Sequence, residues 1–133
     1  PICWFTKYFF SCYNISIVSK NFTTMEIMHF PFQIINWKQI DAKEYAGITG
    51  KAFWKIFNMG KIRVRMVEYS AGYKADHWCN KGHIIYCIKG QMTTKLQDGR
   101  EFILQEGMTY HVGDESDAHC SSSKNGCVLF IVD

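Results

Sequence analysis

No stretch of this sequence stays apolar for long enough to cross a bilayer. Its nearest approach, Tyr8 to Val18, is interrupted by Ser11, Asn14 and Ser16, whereas a spanning helix needs about 20 apolar residues. A compact apolar core followed by a small-x-small cleavage site is also missing, so no signal peptide is read. Lysine and arginine form no block, and a formal charge of +3 is too small to argue for nucleic acid or an anionic membrane as partner. Paired carboxylates, a Ser-His-Asp set and a phosphate-binding glycine loop are absent too, which removes the usual metal-free routes to catalysis.

What is present suits one compact domain. The chain has 133 residues, 47% of them apolar and 16% aromatic, enough to bury a core without staples. Its six cysteines are therefore read as reduced thiols, and the protein as cytoplasmic. Residues 1–24 differ from the rest. They hold no acid and only Lys7 and Lys20 as charges; without them the formal charge falls to +1. Met25 is read as the natural start, residues 1–24 as a non-native or disordered extension, and residues 25–133 as a single domain.

From Met25 onward the pattern is that of strands. Phe30 to Trp37 is an apolar lead-in that Pro31 confines to an edge, and Gln39 to Tyr45 is either a helical turn or a loop. Lys51 to Met59 lies between Gly50 and Gly60. Lys61 to Ser70 alternates, with Ile62, Val64 and Met66 on one face and Arg63, Arg65, Val67 and Tyr69 on the other. A solvated sheet face is the favoured reading of the two arginines, and a carboxylate or phosphate clamp the sharper one. Ile84 to Lys89 is mostly apolar, as a strand buried on both faces would be. Gly90 is read as its end. Gln91 to Gln97 and Arg100 to Gln105 flank Asp98-Gly99, a hairpin signal of the type I′ kind. Met108 to Val112, His119 to Ser123 and Cys127 to Asp133 complete eight or nine short strands. Met66, Phe102, Leu104, Leu129 and Ile131 are expected in the core. Such a pattern means an all-β barrel or double-sheet roll with little or no helix.

The chemistry concentrates in Asp76-His77-Trp78-Cys79-Asn80-Lys81-Gly82-His83. In a strand, side chains two apart share a face, so His77 and Cys79 point one way, with His83 joining them if pairing resumes in register after Gly82. Imidazole and thiolate are ligands preferred by zinc and several other transition metals. His111 is the rival donor, read as a surface residue. Cys87 is read as an apolar filler of the barrel, Cys120 as facing away from His119, and Tyr69, Tyr86 and Tyr110 as packing residues.

These residues resemble the cupin family. Its first motif is matched by Gly72, four residues, His77-x-Cys79, three residues, His83, six residues and Gly90. Its second is matched loosely by Gly107, five residues, Gly113-x-Glu115, three residues, His119, three residues and Ser123. Cys79 stands where the family has its second histidine, His83 where it has glutamate, and Gly113 where it has proline. The likeness is greatest to small single-domain cupins with an Asp-His-Trp-Cys signature, Asp76 to Cys79 here. It implies a cupin-type double-stranded β-helix or jelly-roll barrel, a homodimer, and a metal site made of His77, Cys79, His83 and His119. Asp76 is read either as an acceptor that orients His77 or as an exposed acid at a strand end.

Zinc is the first expectation for that site, and iron, nickel, manganese and copper remain open. A complete His3Cys set is what a closed tetrahedral zinc site uses, leaving no position for substrate. Three function readings follow from the residues. One is a small metalloenzyme, oxygenase- or isomerase-like, acting on a small-molecule metabolite. The second is a non-enzymatic, metal-stabilised barrel that binds a small ligand or senses metal or redox state. The third is a metal-free barrel with a structural polar cluster. Mass spectrometry of natively expressed protein checks the N-terminus: a chain beginning at Met25 is expected, and one beginning upstream contradicts the reading.

Overall fold

A computed structural model of the chain describes residues 30–133; the proposed extension, residues 1–24, and the start at Met25 lie outside them. A 3-10 turn, Trp37–Gln39, comes first, capped by the Asn36 side chain, which accepts from the Lys38 amide at 3.1 Å. Seven strands follow: β1 Lys43–Ala46, β2 Lys51–Met59, β3 Ile62–Lys74, β4 His83–Leu96, β5 Glu101–Gln105, β6 Thr109–Val112 and β7 His119–Val132. The helical turn thus ends at Gln39 rather than starting there, and the rest of Gln39 to Tyr45 goes into β1 and its lead-in. Tyr45 and Trp54 pack with tilted rings, centroids 4.4 Å apart, across the β1–β2 pair, which favours strand over turn there. No helix among the described residues is long and apolar enough to cross a membrane.

All pairing is antiparallel, in the order β1-β2-β3-β7-β4-β5, with β6 also on β4. β4 meets β6 through His83 to Tyr86 and β5 through Gln91 to Lys95, while β7 runs along its other edge. Among the described residues the count is seven rather than eight or nine: β4 and β7 each merge two of the anticipated strands, none forms over His77 to Cys79, and β1 is added. Gly90 does not end β4. It sits at φ +81° where the β4–β7 register shifts, and it faces Gly126 at φ +86°. A β-carbon on Gly90 would lie 2.5 Å from the Gly126 carbonyl oxygen. The sheet therefore bends through a bulge instead of breaking, which lets two long strands curve around one core. The Asp98-Gly99 hairpin forms, but only Gly99 has positive φ. The turn is therefore not type I′, which requires two such residues.

The core gathers Val67, Tyr69 and Tyr73 from β3, Ile85, Cys87 and Met92 from β4, and Cys127, Leu129 and Ile131 from β7, with Ala52 and Leu104 beside them. β4 is not buried on both faces: Ile85 and Cys87 point in, while Ile84, Tyr86 and Ile88 are exposed. Phe102 is exposed as well, under the Arg100 guanidinium, and Met66 lies on the face of β3 away from the core. The inward face of β3 carries Arg65, Val67 and Tyr69. Gly90→Ala is expected to destabilise the fold by about 2 kcal/mol, since a side chain there meets both a left-handed backbone and a close carbonyl. Urea unfolding checks this, and an unchanged midpoint contradicts the bulge's role.

Candidate metal centre

Three donors reach one point from three separate segments. His83 opens β4 opposite Val112 of β6. His119 opens β7 opposite Leu96 of β4. Cys79 belongs to neither strand. Its amide donates to the His119 carbonyl at 2.7 Å, and the His119 amide donates back to the Cys79 carbonyl at 3.0 Å. The segment between Cys79 and β4 is strapped to the polar loop 113–117. There the Glu115 amide donates to the Asn80 carbonyl at 2.9 Å, and the Gly82 amide to Asp114 Oδ1 at 2.8 Å. Only glycine fits at position 82, because a β-carbon would come within 2.6 Å of the Asp114 amide nitrogen.

Cys79 Sγ and one ring nitrogen each of His83 and His119 lie within 4.8 Å of one another. The two Nε2 atoms face each other at 2.7 Å, with the rings nearly perpendicular. His119 Nδ1 lies 2.8 Å from the Asp117 carbonyl. A carbonyl only accepts, so Nδ1 carries a proton and Nε2 is the ring nitrogen turned to the cluster, the one that can serve as a metal ligand. His83 is held neutral. Burial, then the charges of His119 and Arg65, push its pKa down to about 4, and its buried Nδ1 has no partner among the described residues. Two imidazoles and a half-buried thiol suit zinc and related metals. The residues therefore fit the implied ion.

His77 stands apart from this group. Its ring is 69% exposed and its Nδ1 lies 2.6 Å from Asp76 Oδ1. Asp76 does meet His77 as anticipated, but out in solvent. The shared-face argument does not hold, because β3 ends at Lys74 and residues 76–77 bend rather than continue as a strand. His111 is exposed on β6 and outside the group. Cys87 is fully buried. Cys120 hydrogen-bonds to the Ala75 carbonyl at 3.8 Å. Burial raises the phenol pKa of Tyr69, and that of Tyr110 up to about 12, so both stay protonated.

His77, Cys79, His83 and His119 line a cavity of about 290 Å³ that is shared with Trp54, Arg65 and Asp133. A more apolar cavity of about 320 Å³ touches His119 from the β5–β6 side but contains neither Cys79 nor His83. The smaller cavity is therefore the candidate site. It corrects the solvated-face reading of the arginines. Arg65 is 5% exposed, stacks on the Trp54 ring at 4.6 Å and donates through Nη2 to Asp133 Oδ2 at 2.8 Å. Arg63 clamps the same carboxylate through Nε and Nη2 at 2.9 and 2.6 Å. Burial opposes ionisation of Asp133, but the Arg63 hydrogen bond and the two arginine charges outweigh it and hold its carboxyl below the usual range. Asp133 and Trp54 escaped the sequence reading. The available signal was that Arg65 alternates in step with Val67 and Tyr69.

No family model and no curated protein sequence matches the chain, but solved structures do resemble it. Ectoine synthase from P. lautus superposes with a TM-score of 0.63 at 15% identity, over 76% of each chain. A predicted oxalate decarboxylase from Thermotoga maritima gives 0.65 at 11% identity, over 75% of this chain and 96% of its own. A cupin-2 domain protein from Shewanella frigidimarina gives 0.50 at 15% identity, over 60% and 78%. At such identities the likeness speaks for the fold. The described residues adopt the cupin fold, an antiparallel all-β jelly roll.

A buried carboxylate with a lowered pKa binds fewer protons folded than unfolded. Its stabilisation is therefore present above the unfolded value of about 4 and lost as pH falls through the folded one. Asp133→Asn is expected to cost about 3–5 kcal/mol at neutral pH, because it leaves Arg65 buried without its counter-charge. It is also expected to flatten the acid limb of stability against pH. Urea unfolding across that range measures both, and an acid limb unchanged in the variant contradicts the assignment.

Proposed function

We propose that Cys79, His83 and His119 hold one divalent transition metal, zinc in the first place, and that the protein is a small cupin-type metalloenzyme acting on a small-molecule metabolite. The observation that carries this is the convergence of three donors, rather than four, on the edge of a cavity. Three protein ligands with a fourth position left open is the pattern of catalytic zinc, whereas four is that of structural zinc. When bound, the metal supplies a Lewis acid for an oxygen or sulfur of the ligand. The chain's own part is to hold His119 in the Nε2-ligating tautomer through the Asp117 carbonyl and to keep His83 neutral by burial.

The neighbours support an enzymatic reading to the extent that ectoine synthase is an enzyme by name. Whether the reaction is oxygenase- or isomerase-like is a question of substrate. The half-buried Cys79 favours a second reading, a ligand-binding barrel that senses redox state, since oxidation of a ligating thiolate releases the metal. A reduced thiol agrees with the cytoplasmic location inferred from the sequence, and the exposed row Ile84, Tyr86 and Ile88 supports the inferred homodimer.

Elemental analysis of purified protein tests the site. About one metal per chain is expected in the wild type. Cys79→Ser and His119→Ala are expected to lose metal affinity by more than the ~10–100-fold typical of outer partners, while His77→Ala keeps its metal. A metal-free wild type sinks the proposal. Loss of metal in His77→Ala restores the closed four-ligand site and removes the open position.

A further inference from the structure

The jelly roll is not filled on its β5–β6 side. Facing residues of an antiparallel pair project from the same side of the sheet. Leu104 and Phe102 of β5 face Met92 and Thr94 of β4, which are buried, so both β5 side chains project toward the interior. Val112 and Tyr110 of β6 face the buried His83 and Ile85 in the same way. Leu104 is buried, but Phe102 is 52% exposed, and Val112 and Tyr110 are only partly buried. Inward side chains left open in this way have no core residue opposite them. What lies there is the cavity of about 320 Å³ that touches His119.

Its lining sets this cavity apart from the metal site. Leu96, Phe102, Leu104, Met108, Tyr110 and Val112 form most of the walls, and neither lysine nor arginine is among the lining residues. The one acid there, Asp117, is paired with Arg100 at 3.2 Å. The cavity that holds Cys79 and His83 instead carries Arg63, Arg65, Lys81 and Asp133. His119 is a wall of both. Apolar walls without a cation offer an anion nothing in place of its hydration, so a carboxylate or phosphate is disfavoured. Size narrows the occupant further. An apolar cavity of about 150 Å³ admits benzene, so about 320 Å³ suits a substituted ring or a branched chain. A second copy of the chain would cover the exposed outer row Ile84, Tyr86 and Ile88; a concave space of this volume is the form of a small-molecule pocket.

We propose that the β5–β6 cavity is a second binding site, and that it takes an uncharged aromatic ring or branched alkyl group packed against Phe102, Leu104 and Val112 and reaching the His119 ring. The site does not depend on the metal reading, because neither Cys79 nor His83 lines it. Its occupant and the metal centre share only the wall that His119 supplies.

The test uses metal-free wild-type protein, so that its failure and the failure of the metal reading are separable. Toluene is titrated as the uncharged probe, with benzoate as a charged ring of similar size. Carbon-13 methyl spectra follow Leu104, Met108 and Val112 in the cavity, and Ile84 and Ile88 on the outer row. The cavity methyls are expected to shift saturably with toluene while the outer row does not, and benzoate to bind about tenfold more weakly or worse. Phe102→Ala removes a wall at a half-exposed position, and a several-fold loss of toluene affinity is expected. Met108→Trp enlarges an exposed side chain of the lining and is expected to abolish saturable binding; if one variant does not fold, the other carries the test. Affinity is expected to stay the same when the protein is concentrated about tenfold. Shifts that do not saturate, equal binding of benzoate, parallel shifts at Ile84 and Ile88, or unchanged affinity in the folded variants would each overturn the proposal. So would an affinity that falls on concentration, which would mean that a second copy covers the cavity.

Discussion

The two hydrogen bonds between the Cys79 and His119 backbones hold the site together. Forty residues of sequence separate the two side chains, and neither lies within a common strand pair. The bridge converts a loop residue and the first residue of β7 into neighbours. His83 then needs only to open β4 beside them, which the strap from loop 113–117 ensures by fastening Asn80 and Gly82. The donors are thus positioned by main-chain geometry rather than by one another. Preorganisation of that kind lets two imidazoles bring their Nε2 atoms to 2.7 Å without a compensating carboxylate.

Curvature is the second requirement. A flat sheet of these strands would bury one side and leave the polar cluster on the other in water. The paired glycines at 90 and 126 bend β4 and β7 where their register shifts. The inward faces of β3, β4 and β7 then close over a shared core. Toward one end that core is hydrocarbon, from Val67 to Met92; toward the other it becomes polar, with Arg65, His83, His119 and Asp133. Burying a guanidinium and a carboxylate together is tolerated because each satisfies much of the other's hydrogen bonding.

Much of the fold was legible in the sequence, because alternation and turn residues act locally. The all-β class, the Asp98-Gly99 hairpin and the inward set Leu104, Leu129 and Ile131 all came from short windows. What failed was non-local. Gly90 looked like a terminator because a lone glycine does not announce the Gly126 it packs against. Phe102 looked like core because hydrophobicity does not say which face of an outer strand is covered. At the site, three of the four residues that the cupin resemblance implied as ligands, Cys79, His83 and His119, come within 4.8 Å of one another. His77 was expected beside Cys79 on the assumption of a continuous strand, and a bend at residues 76–77 leaves it in solvent. Arg65 was assigned to solvent although it alternates in phase with Val67 and Tyr69, the one pattern that pointed inward.

The number of protein donors decides between a site that only stabilises and one that can engage a ligand. X-ray absorption at the zinc edge of the zinc-loaded protein reads that number directly. The account predicts one sulfur at about 2.3 Å and two imidazoles at about 2.0–2.1 Å, together with a non-protein light atom in the open position. A spectrum without sulfur, or with a third imidazole that disappears in His77→Ala, would contradict it.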